Sequence, residues 1–251
     1  MKHNNRQAGV FITGTDTGVG KTLVTAVLAV GLKRLGHSVG VMKPIETGVS
    51  PSRVLHSDAA RLQAIVDSEE TLGAICPYRF EPPVAPFAAA QAERQRIDPA
   101  VIRQVYRLLA RRYDYTVVEG IGGARVPLNS HADVMDLIAA LKLPAVVVGR
   151  AGLGGINHAL LTIDALRRRP IPLVALVLNR TEPVRSATLR FQERTTIEML
   201  RKYAGLPVLG PLGYEPGLGR SFRRSVTRLT RTAAMATLVR LVKASVRWTW
   251  G

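Results

Sequence analysis

The chain has one cysteine, few acidic residues and no long apolar run. The single cysteine, Cys76, excludes an internal disulfide and a zinc ribbon. It fits a reducing cytosol, where it is most simply a small buried side chain. No apolar stretch approaches the roughly 20 residues that cross a bilayer; the nearest candidate, around Ala145–Gly149, is strand-length. The opening MKHNNRQAG lacks the apolar core of a signal peptide. These absences predict a cytoplasmic protein. Internal repeats and Ser/Gly linkers are missing too. Negative charge is scarce: 18 Asp+Glu face 35 Lys+Arg, a formal net charge of +17. Taken alone, that excess points to a nucleic-acid or anionic-membrane partner.

With 47% hydrophobic and 21% charged residues, the 251-residue chain has the composition of a globular domain with ample material for a core. Short β-branched runs occur at Val10–Thr13, Ser38–Met42, Tyr115–Val118, Ala145–Val148, Leu173–Leu178 and Pro207–Leu209. Stretches with helical spacing separate them: Thr22–Leu35, Ala59–Val66, Pro99–Arg112, Val134–Leu141, Asn157–Arg168 and Leu189–Tyr203. Apolar strands that do not alternate with polar residues are covered on both faces. The alternation therefore predicts an α/β fold, a doubly wound, mostly parallel sheet with helices on both faces. The Pro-rich stretch Cys76–Pro86 reads as a loop.

Residues 220–251 form a second compositional region beyond a main domain of residues 1–219. They hold eight basic residues and no acid, so the remaining 27 basic residues face all 18 acids. Met235, Leu238, Val239, Val242 and Val246 make a stripe at helical spacing, with Arg240, Lys243 and Arg247 on the other side. The pattern predicts one basic amphipathic helix ending near Trp248 and Trp250. Its stripe either packs onto the body or rests on anionic lipid or nucleic acid.

After the first strand comes Gly14-Thr15-Asp16-Thr17-Gly18-Val19-Gly20-Lys21-Thr22, opening directly into a helix. Glycines let backbone N–H groups turn inward onto a phosphate. The helix N-terminus adds partial positive charge, Lys21 a full one, and Thr22 a hydroxyl for Mg²⁺. The usual first glycine is replaced by Thr15, with Gly14 one residue earlier. A strand before and a helix after make this a nucleotide-binding loop, not a Gly-rich cap.

Two acids complete a metal site. Glu119 ends an apolar strand before Gly120-Ile121-Gly122, where a carboxylate projects from the carboxyl edge of a parallel sheet. Asp58 begins a helix after Ser57, and N-cap and metal ligand are open roles for it. Mg²⁺ takes hard oxygen ligands and keeps several waters, so Thr22, Asp58, Glu119 and phosphate oxygens suffice. Lys43 closes the second strand. A strand-end lysine ordinarily reaches solvent, but this strand ends on the edge that carries the phosphate loop, beside an anionic acceptor. Thr47 adds a hydroxyl nearby. Five scattered histidines suggest no metal cluster.

The segments GTDTGVGKT (14–22), KPIETG (43–48), SDAARL (57–62), PYRFEPPVAP (77–86), VVEGIGGARVPL (117–128), LPAVVVGRAGLGGINHALLT (143–162) and LVLNR (176–180) resemble the dethiobiotin synthetases. These are ATP-dependent ligases of biotin biosynthesis. The resemblance runs from about Val10 to about Pro216. It implies that Gly18, Val19, Gly20, Lys21, Thr22 and Leu23 cradle the ATP phosphates, and that Gly120, Ile121 and Gly122 lie beside them. Thr22, Asp58 and Glu119 would hold Mg²⁺, with Lys21 and Lys43 as catalytic lysines and Thr47 on the diamine. Asn179 and Arg180, with Leu212, Gly213 and Tyr214, would meet the adenine. Gly155, Ile156 and Asn157 open a helix that, in this family, binds the substrate carboxylate across a homodimer interface. The implied reaction joins 7,8-diaminopelargonate, CO₂ and ATP into dethiobiotin, ADP and phosphate.

Two positions depart from the pattern. Phe87 stands where relatives often carry His, and Arg180 where an acid may follow the nucleobase Asn. A partitioning or cell-division ATPase that binds DNA or membrane is the main rival. Its loop signature needs a lysine where this chain has Asp16. A cobyrinic-acid amide ligase would need a further glutamine-hydrolysing domain.

Overall fold

The computed structural model describes residues 8–216, 218 and 221–245. Strand β1 (Ala8–Gly14) leads into helix α1 (Lys21–Arg34), β2 (Val39–Met42) and the short β3 (Ile45–Thr47). A 3-10 turn at Pro51–His56 precedes α2 (Asp58–Val66), the single-turn α3 (Leu72–Ile75), β4 (Tyr78–Phe80), α4 (Pro86–Ala92) and α5 (Pro99–Ala110). Then follow β5 (Tyr115–Gly123), α6 (Val134–Leu141), β6 (Ala145–Arg150), α7 (Gly155–Arg167), β7 (Leu173–Asn179), α8 (Ala187–Tyr203) and β8 (Val208–Leu212). Two helices, α9 (Phe222–Leu229) and α10 (Ala233–Ser245), complete the described chain.

Six strands form one parallel sheet in the order β2-β5-β1-β6-β7-β8. Successive residues of β1 feed opposite layers: Phe11 packs with Met42, Val118 and Val147, whereas Val10 and Ile12 pack with Val27, Val117 and Val146. Burial on both faces is what the unbroken apolar runs required, because strand side chains alternate between faces. β1 lies between β5 and β6, so the chain leaves it toward β2 on one side and later crosses to β6 on the other. Loops after β1 and β5 diverge at this switch point, the usual place for a ligand crevice.

Two segments differ from expectation. Within Cys76–Pro86, Tyr78–Phe80 is strand β4, paired in parallel with β3, and Pro86 starts α4. Backbone pairing with β3 turned a Pro-rich loop into a short second sheet that walls the crevice. The C-terminal region holds two helices where one was expected. Met235, Leu238, Val239 and Val242 are at most 6% exposed and share the core layer with α1. α10 approaches α1 so closely that a Cβ on Gly31 would lie 2.8 Å from Val239 Cγ2. Val246, Arg247, Trp248 and Trp250 lie outside the described residues.

Candidate active site

The phosphate loop emerges from β1, and α1 begins at Lys21 behind Gly20, whose φ of 102° is left-handed. No side chain caps α1, so its first N–H groups remain for a ligand. Gly20 has a second constraint: a Cβ there would lie 2.3 Å from Asn179 Nδ2. Asn179, 4% exposed at the end of β7, donates from that nitrogen to Val19 O at 3.0 Å. Its Oδ1 is buried with no hydrogen-bond partner.

A cleft of about 610 Å³ opens beside the loop. Gly18, Gly20, Lys21, Thr22 and Leu23 line one wall; Glu119, Ile121 and Gly122 line the floor from β5. Lys43, Thr47 and Asp58 also line the cleft. At the centre is one carboxylate, Glu119, 1% exposed. Its Oε1 accepts from Lys43 Nζ at 2.5 Å and from Thr22 Oγ1 at 2.9 Å. Lys43 Nζ also donates to Gly120 O at 2.9 Å and lies 3.9 Å from Asp58 Oδ2. Lys43 is thus 3% exposed and does not reach solvent. Burial favours its neutral form, but the charges of Glu119 and Asp58 prevail and hold the ammonium above the ordinary lysine range. Burial pushes the Glu119 carboxyl up, opposed by Lys43.

Lys21 is 7% exposed and its Nζ rests on Asp16 O at 2.8 Å. Burial, then the like charge of Lys43, lowers its pKa to about 8. Asp16, where the rival ATPases carry their signature lysine, pairs with Arg150 at the end of β6 at 3.1 Å.

Ser57 is the N-cap of α2, its Oγ accepting from Ala60 N at 3.1 Å, so Asp58 is the first helical residue. That leaves the Asp58 carboxylate free of the capping role left open for it. The Glu119 Oε2 atom is buried without a hydrogen-bond partner. An orphaned carboxylate oxygen beside a hydroxyl and a second carboxylate is a donor set suited to Mg²⁺. Among the described residues no group of three or more His, Cys, Asp and Glu gathers into a metal site. Two carboxylates, a hydroxyl and phosphate oxygens do not need one.

Other expected residues lie outside the cleft. Arg180 is held by Glu193 of α8 in two 2.7 Å bonds. Leu212 is buried at the end of β8, with Gly213 and Tyr214 after it. Gly155, Ile156 and Asn157 open α7 away from their own chain's cleft. Conversely, Glu46, Arg61 and Phe222 line the cleft and were not singled out. Glu46 stands inside KPIETG, three residues after Lys43, which was the available signal.

A family model described as an AAA domain matches residues 8–221. The ATP-dependent dethiobiotin synthetase of Anaeromyxobacter sp. (strain K) is 48% identical over 175 residues, 70% of this chain and 78% of its own. That of Thermodesulfovibrio yellowstonii is 38% identical over 217 residues, covering 83% and 89%. The chain belongs to the dethiobiotin synthetase family. Fold relatives are more distant. A chain of the MinC:MinD cell division protein complex of Aquifex aeolicus superposes with a TM-score of 0.58 at 14% identity, over 96% of each chain. The pNOB8 ParA structure bound to nonspecific DNA gives 0.52 at 13% identity, over 96% and 98%. These share the parallel P-loop architecture. The family, however, is fixed by sequence identity, which favours the ligase over the partitioning ATPases. No helix among the described residues is long and apolar enough to cross a membrane.

Proposed function

We propose that the chain is an ATP-dependent dethiobiotin synthetase. It converts 7,8-diaminopelargonate, CO₂ and ATP into dethiobiotin, ADP and phosphate. One observation carries the assignment beyond family membership: a buried lysine, Lys43, is fixed on Glu119, which also accepts from Thr22 at the foot of a phosphate loop, inside an open cleft. A nucleotide hydrolase needs a water there. A ligase that brings an anionic acceptor to the γ-phosphate needs a cation.

An amine of the substrate adds to CO₂ and loses a proton, giving a carbamate. A carbamate oxygen attacks the γ-phosphorus and ADP departs, leaving a carbamic–phosphoric anhydride. The second amine attacks its carbonyl carbon, phosphate leaves, and the ureido ring closes. Lys21 and Lys43 offset the repulsion between carboxylate-like oxygen and polyphosphate, while the loop N–H groups hold the phosphates in line. Thr22, Asp58 and Glu119 would hold Mg²⁺, which screens β- and γ-phosphate charge. The orphaned Asn179 Oδ1 is an acceptor for the adenine amino group, and Gly213 and Tyr214 lie at the adjoining strand end. Thr47 supplies a hydroxyl for the diamine.

The enzyme works as a cytoplasmic homodimer in this proposal. Gly155, Ile156 and Asn157 present a helix N-terminus to the partner's substrate carboxylate. Leu153 and Leu161, 79% and 61% exposed beside them, are apolar surface for such a contact. Residues 1–219 carry the ligase chemistry, and residues 220–251 extend it. The test is phosphate release with ATP, Mg²⁺ and bicarbonate, with and without the diamine. Strict dependence on the diamine is expected; stimulation by DNA or liposomes instead overturns the assignment.

A further inference from the structure

Glu46 is a buried carboxylate with no assigned part in the reaction. It is 7% exposed and lines the cleft between Lys43 and Thr47 in sequence. Its two oxygens accept from two consecutive backbone amides at the start of α2: Oε1 from Asp58 N at 2.6 Å, Oε2 from Ala59 N at 3.1 Å. Unpaired amides at a helix start need partners, and an anion there is favoured by the helix dipole.

Capping alone does not explain this arrangement. Ser57 already caps the same helix through Ala60 N. The Asp58 side chain is about one-third exposed, but Ala59 is fully buried, so its amide takes its partner from the protein. Burying a full carboxylate is costly unless its bonds accomplish something solvent cannot. What they accomplish is a tie between two elements: β3, which follows Lys43, and α2, which carries Asp58. The tie falls on the amide of Asp58 itself. It fixes where that residue's carboxylate sits, 3.9 Å from the Lys43 Nζ that also binds Glu119.

We propose that Glu46 is a positioning residue that locks the Lys43–Thr47 turn to the first turn of α2 and so holds Asp58 in place for the Mg²⁺–nucleotide complex. The proposal rests on the ligase assignment for its metal, but it concerns the geometry of this chain alone. Residues that orient metal ligands from behind characteristically change metal affinity by 10–100-fold when altered.

The test compares Glu46→Gln with Ser57→Ala. The amide of Glu46→Gln keeps the shape but has only one oxygen to accept with, and its NH₂ opposes a backbone donor. Nucleotide binding is titrated calorimetrically against Mg²⁺ without diamine, alongside thermal melting. Glu46→Gln is expected to raise the Mg²⁺ concentration for half-maximal nucleotide binding by about tenfold. Ser57→Ala, which removes only a cap, is expected to lower the melting temperature and leave that midpoint unchanged. If Glu46→Gln does not fold, Glu46→Asp, too short to reach both amides, is measured with the same expectation. An unchanged midpoint in the folded Glu46 variant, or an equal shift in Ser57→Ala, overturns the proposal. Nucleotide binding by the unaltered protein that ignores Mg²⁺ also overturns it. A tenfold shift in a protein whose phosphate release ignores the diamine supports the positioning role and overturns only the assignment as a dethiobiotin synthetase.

Discussion

Lys43 Nζ and Glu119 Oε1 stand 2.5 Å apart, on side chains 4% and 1% exposed. The pair joins the end of β2 to the middle of the adjacent strand β5, so it is both a structural weld and the centre of the proposed chemistry. Removing one member of a buried pair leaves the other uncompensated, at a cost of about 3–5 kcal/mol.

Lys43→Ala is therefore expected to lose stability and turnover together, but not nucleotide binding, which the loop supplies. Turnover is expected to fall about 100-fold or more while ATP affinity stays within a few-fold. Steady-state phosphate release and calorimetric ATP binding separate the two. Near-normal turnover would remove Lys43 from the mechanism.

Lys21 gives a pH dependence with a defined sign. Its folded pKa of about 8 lies below the ordinary 10.5. Between those values the unfolded state holds more protons, so its contribution raises stability as pH climbs from about 8 toward 10.5. Bound phosphate reverses the balance by stabilising the ammonium. ATP binding is expected to take up a proton above pH 8 and to weaken as pH rises. Calorimetry in buffers of different ionisation enthalpy reads the proton directly; no uptake at pH 9 contradicts the buried, depressed lysine.

Two loop glycines should respond unequally. Gly18 has a φ of 75° but open space around its missing Cβ, whereas Gly20 has a φ of 102° and Asn179 in the way. Gly18→Ala is expected to cost about 1–2 kcal/mol from backbone strain alone. Gly20→Ala should cost more and should also weaken ATP binding by displacing Asn179. Melting curves and ATP titrations of the two variants rank them; equal effects would count against the Asn179 contact.

The apolar stripe of α10 makes a prediction about the C-terminal region. Leu238 is fully buried, so Leu238→Ala is expected to cost about 2–5 kcal/mol. Deleting residues 220–251 would uncover α1 and is expected to yield an unstable or insoluble protein, measured by melting temperature and soluble yield. A deletion variant with unchanged stability and activity would show the region to be dispensable.

Much of this was legible in the sequence, for reasons that are local. Val10–Thr13 and Ala145–Val148 announce strands covered on both faces because no polar residue interrupts them, and GVGKT names its own turn, helix start and ligand. What was not legible depends on partners distant in sequence. β3 and β4 are three residues each and exist only because they pair with one another. The burial of Lys43 depends on β5, and the tie from Glu46 to α2 crosses between elements. The break between α9 and α10 carries no Gly or Pro to mark it. Only the step from Leu229 to Met235, which leaves the three-to-four spacing of the buried residues on either side, records it.

The contact between Gly31 and Val239 joins α1 to α10, the first and last helices among the described residues. During synthesis the phosphate loop and α1 leave the ribosome well before α10, which carries the surface that covers α1. The nucleotide site cannot reach its final packing until that late helix docks. Between those moments the apolar back of α1 is open to solvent, and to whatever binds nascent chains.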